Sequence, residues 1–107
     1  MENKKIVQLT EPLEVAGKTL TELEVRRSTI GDEEDALQTA LQLKKGKNHL
    51  TVEMCLIARV ARLPYDKIRQ MHGRDYAAIR AALNDLNGVE APPDDEEEEN
   101  PMTPSAN

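Results

Sequence analysis

The chain predicts an α+β fold: a small N-terminal antiparallel β unit, three to four packed helices, and a disordered acidic C-terminal tail. Three observations predict it. The first third is rich in alternating or β-branched apolar residues broken by turn signals. From Ser28 onward, apolar residues recur at helical spacing between start and stop signals. Residues 90–107 hold seven acids, no base, four prolines and almost nothing apolar.

The strands come first. IVQL, LEV and LTELEVR are interrupted at Pro12 and at Ala16-Gly17. In TELEVR, Leu23 and Val25 point one way while Glu22, Glu24 and Arg26 point the other, as in a half-buried strand. A two-residue turn at Ala16-Gly17 sets Leu13 opposite Leu20 and Val15 opposite Lys18. Leu20 and Leu23 then fall on opposite faces, so a bulge or strand break is expected near Thr21–Glu22. Ala tolerates poorly the positive φ of a tight hairpin turn, which argues for a longer loop.

The helices follow. Thr29-x-x-Asp32 has capping-box spacing. Asp32, Glu33, Glu34 and Asp35 lie in the first turns, where the helix dipole favours negative charge. They read as helix-start electrostatics rather than a metal site. Leu37, Ala40 and Leu41 form the expected inward stripe, with Ala36 and Leu43 beside it and Gly46 as the stop. The next helix, Leu50 to Arg62, is apolar on most faces and so is expected to be central. Pro64 restarts the chain, and Tyr65, Ile68 and Met71 keep helical spacing for two turns. After Gly73, the stripe Tyr76, Ile79, Leu83 and Leu86 marks a last helix ending at Asn87-Gly88.

Composition narrows the function. A chain of 107 residues fits a single domain at 1–89 with a tail at 90–107. The body is close to neutral; the net charge of −6 comes from the tail. There is no Phe or Trp, and only Tyr65 and Tyr76 could stack on a base. Cys55 is alone, fits a reducing cytosol and reads as a small buried apolar residue. His49 and His72 stand 23 residues apart with no ligand cluster. No run is long enough to span a bilayer. No phosphate loop, HExxH or GxSxG element occurs, so no catalytic, cofactor-binding or metal residue is assigned. The chain reads as a protein-binding module and not as an enzyme.

A helix-turn-helix DNA regulator is the runner-up, with Arg74, Asp75, Arg80 and Asn84 on the reading helix. Asp75 and Asp85 offset its bases, and an acidic tail opposes binding to a polyanion. An adaptor using its acidic tail is a further alternative.

The order Leu9-x-x-Pro12-Leu13, Gly17-Lys18, Leu20-x-x-Leu23-x-Val25-Arg26-Arg27, Gly31-Asp32, Leu56-Ile57-Ala58, Leu63-Pro64, Ile68, Asp75, Ile79, Leu83 resembles the tail assembly chaperones of Mu-like and P2-like bacteriophages. The resemblance spans about residues 6–86. It implies a cytoplasmic assembly protein, absent from the mature virion, that binds the long tape measure protein and keeps it soluble while tail tube subunits assemble around it. The tail tube protein is a second candidate partner, and self-association stays open. A longer frameshifted product is a property of the family that a protein sequence does not display.

Such a partner is helical, so an apolar groove is expected between the Leu50–Arg62 helix and the Leu63–Leu86 pair. The candidate partner-binding residues are Met54, Ile57, Leu63, Tyr65, Ile68, Met71, Tyr76 and Ile79. The methionines suit varied apolar partners.

Overall fold

The computed structural model describes residues 3–44 and 48–89. The expected acidic tail and the Gly46 helix stop lie outside these residues. The order is β1 (Lys4–Val15), β2 (Lys18–Arg26), α1 (Ile30–Gln42), α2 (His49–Ala61), α3 (Tyr65–Gln70) and α4 (Gly73–Leu86). A two-stranded antiparallel sheet followed by four helices is the α+β class expected.

The hairpin turns on two residues, and the longer loop is not needed. Ala16 (φ 52°) and Gly17 (φ 80°) both take the left-handed region that a tight turn demands. Leu13 pairs with Leu20 and Val15 with Lys18, as the turn dictates. Pairing then breaks and resumes at Gln8↔Glu22, so Leu9–Pro12 bulge opposite Thr21. The break falls at the expected height, but the extra residues belong to β1. It returns Leu20 and Leu23 to the same side, where Leu23 is buried and Leu20 packs against the core.

The Thr29–Asp32 capping box forms in full and starts α1. The expected inward stripe is corrected. Ala36 and Ala40 are fully buried, whereas Leu41 and Leu43 are 41% and 38% exposed. Two alanines allow α1 to approach α2 closely, and Leu37 and Leu41 are displaced to the flank of that contact. Helix α1 closes at Leu43, with Lys44 in the left-handed region at φ 61°.

Helix α2 is central, as its composition predicts. Asn48 caps it through Thr51 N–H, and Arg62, left-handed at φ 59°, ends it and turns the chain into Leu63-Pro64. One side of α2 presents Ile57, Val60 and Ala61 to the main core, with Val7, Leu13, Leu23, Val25, Leu63, Ile68, Ile79, Leu83 and Leu86. Its other side presents Cys55 to Ala36 and Ala40, with Val52, Leu56 and Tyr65 around them. Among the described residues, no helix is long and apolar enough to cross a membrane.

Candidate partner-binding site

Two buried aspartates hold the helices on the hairpin. Asp32 is 5% exposed. It accepts a bidentate pair from Arg26 (2.7 and 2.9 Å), two longer bonds from Arg59 (3.2 Å each) and the Thr29 N–H (2.9 Å). The Arg26 guanidinium, aided by Thr29 and Arg59, holds the Asp32 carboxyl far below the usual range despite its burial. Three elements (β2, α1 and α2) therefore meet on one carboxylate.

Asp75, 1% exposed, does the same for α4. Its carboxylate accepts from Thr10 N–H (2.8 Å), Thr10 Oγ1 (2.9 Å) and Glu11 N–H (3.2 Å), which are bulge groups that the broken ladder leaves unpaired. Burial pushes its pKa up, but the Thr10 and Glu11 donors outweigh that and hold it below the ordinary value.

These clasps fix how α1, α2 and α4 sit on the hairpin and on one another. The expected groove between α2 and the α3–α4 pair exists only as a shallow depression of about 170 Å³, lined by Leu50, Met54, Ile68, Arg69, Met71, Gly73 and Tyr76. The eight predicted residues divide. Ile57, Leu63, Ile68 and Ile79 are buried in the main core, Ile68 also reaching the depression floor. Met54, Met71 and Tyr76 are half-buried along it. Tyr65 is half-buried on the other side, against the Ala36–Ala40–Cys55 cluster. The structure therefore brings three of the eight to one accessible place and assigns four to the core. In a domain this small, α2, α3 and α4 satisfy one another's apolar faces.

The larger apolar opening lies between α1 and α2 and has a volume of about 560 Å³. Ile30, Ala36, Leu37, Val52 and Leu56 supply its apolar wall; Glu33, Glu34, Glu53 and His49 complete its lining. Ile30 is 79% exposed. Sequence reasoning turned Leu37 inward and passed over Ile30. The available signal was the spacing Ile30, Leu37, Leu41, which keeps one helical face. A third opening, of about 710 Å³, lies between the Arg27–Ile30 turn and the end of α4, near Leu86 and Val89.

Polar contacts fix the α2–α4 side. The Tyr76 hydroxyl donates to Glu53 at 2.6 Å, and burial together with that carboxylate pushes the phenol pKa well up. Arg80 lies 3.7 Å from Glu53 and over the Tyr76 ring. Asp85 pairs with Lys5. Of the side chains proposed for reading DNA, Asp75 is thus turned inward and Arg80 is engaged within the fold. Burial raises the Cys55 thiol pKa, which suits a packing role.

In comparisons with known proteins, the family model for phage tail assembly chaperone proteins, E, or 41 or 14, matches residues 6–88. The match takes in β1 from Ile6 onward, β2 and all four helices. No curated protein and no solved structure matches the chain.

Proposed function

Because the chain belongs to the phage tail assembly chaperone family, we propose that it serves tail assembly by binding the tape measure protein, keeping it soluble and promoting tube assembly around it. The family is one of chaperones rather than enzymes, and membership implies interaction with phage tail proteins. The action belongs to the cytoplasm of the bacterial host, before the virion is complete.

One observation supports this reading beyond membership: the apolar opening between α1 and α2 that the domain's own core leaves uncovered. A tape measure helix would lay its apolar side chains against Ile30, Leu37, Val52 and Leu56, removing both surfaces from water. Each large aliphatic side chain fully buried in that way contributes about 1.5–3 kcal/mol. Occupancy competes with aggregation of the same exposed stripe.

The test is co-expression of the full chain with the tape measure protein of the same phage. The tape measure protein should move into the soluble fraction and co-purify. A tape measure protein that stays insoluble at equal expression of both partners refutes the reading.

A further inference from the structure

We infer that the α1–α2 groove selects amphipathic helices whose apolar stripe is flanked by lysine or arginine. The inference rests on the chaperone reading for which protein carries such helices, but not for the chemistry of the groove. Its lining holds three glutamates and neither lysine nor arginine. Glu53 is largely committed, since it accepts from the Tyr76 hydroxyl and faces Arg80. Glu33 and Glu34 make no ion pair among the described residues, so their charge is available to an occupant.

The same charges argue against the other occupants. A second copy seated face to face would add its own Glu33 and Glu34 to the contact, with no lysine or arginine from either lining to offset them. The chain's residues 90–107 carry seven acids and no base, so they are repelled from the same rim. Like charges brought together at a contact weaken it, whereas a cationic flank gains both encounter rate and register. The depression on the other side of α2 has the opposite lining, with Arg69 and no acid. A cationic helix is therefore steered to one side of α2 only.

The experiment uses the full chain and three synthetic helical peptides. All share the same leucines; one flanks an i, i+3, i+4, i+7 stripe with lysine, one flanks it with glutamate, and one scrambles the lysine peptide. Fluorescence anisotropy should give binding about tenfold tighter for the lysine peptide than for the glutamate peptide at about 0.05 M salt, narrowing at about 0.5 M. Glu33→Gln with Glu34→Gln should remove most of that preference, and Leu37→Ser should weaken both stripe peptides. Circular dichroism confirms that each variant folds; if Leu37→Ser does not, the double Gln variant carries the decision.

Equal affinity for the lysine and glutamate peptides overturns the inference. So does equal binding of the scrambled peptide, which assigns the attraction to the acidic tail. A native dimer that Leu37→Ser converts to monomer assigns the groove to a second copy and also overturns it. Lysine-peptide selectivity without tape measure solubilisation would leave the groove chemistry standing and sink the chaperone reading. The reverse result would do the opposite.

Discussion

Replacing Asp32 with Asn keeps the side-chain shape and removes its charge. Two guanidinium groups then face a neutral amide where they had a carboxylate at 2.7–3.2 Å. Breaking a buried ion pair from one side costs about 3–5 kcal/mol. Here Arg26 and Arg59 are 37% and 40% exposed, so water re-solvates them in part. The expected loss is therefore about 2–3 kcal/mol near neutral pH. Urea denaturation of wild type and Asp32→Asn at matched pH measures it.

The pH dependence follows from the depressed pKa of Asp32 in the fold. Such a carboxylate contributes fully above its unfolded pKa and loses its contribution as pH falls toward the folded value. Below about pH 4 the wild-type advantage should shrink by about 1.4 kcal/mol per pH unit. Near pH 3 it should thus be smaller than at pH 7 by about 1 kcal/mol. A difference between the two proteins below about 0.5 kcal/mol at neutral pH, or one that does not change between the two pH values, refutes the argument.

Two further predictions concern the hairpin. Asp75→Ala should cost about 2–3 kcal/mol, because the Thr10 and Glu11 N–H groups lose their acceptor; hydrogen exchange should quicken at those amides more than at Leu23 or Val25. Ala16→Asn or Ala16→Gly should raise stability by about 0.5–1 kcal/mol, since Ala is held at positive φ; an unchanged thermal midpoint would contradict the strain assigned there.

Local chemistry was readable where neighbours in sequence are neighbours in space. The Thr29–Asp32 box, the Leu13↔Leu20 register and the end of α4 at Asn87-Gly88, where Gly88 takes φ 76°, all depend on a few adjacent residues. The clasp partners were not readable. Asp32 looks like any acid at a helix start, and Arg59 lies 27 positions away. Asp75 reads as a surface charge on a would-be DNA-binding helix until Thr10 and Glu11 arrive from a bulge 64 to 65 residues distant. The exposed apolar face of α1 was missed for a related reason. Periodicity put Leu37 and Leu41 inward because larger apolar residues usually fill cores, whereas close helix contact selects alanine.

The contact of α1 through Ala36 and Ala40 has a consequence for how a partner is held. Alanine removes little apolar surface from water, so burial alone anchors α1 weakly, and its retention depends on the charged clasp at Asp32. Local opening of α1 is therefore expected to depend on that clasp more than on apolar burial. Because α1 supplies one wall of the groove, any such opening would take that wall with it. An occupant that spans both walls stabilises the closed population, so the apparent affinity carries a factor for the fraction of chains with α1 docked. If a helix binds there as proposed, acid that loosens Asp32 would lower that fraction and weaken its hold without any change in the residues that touch it.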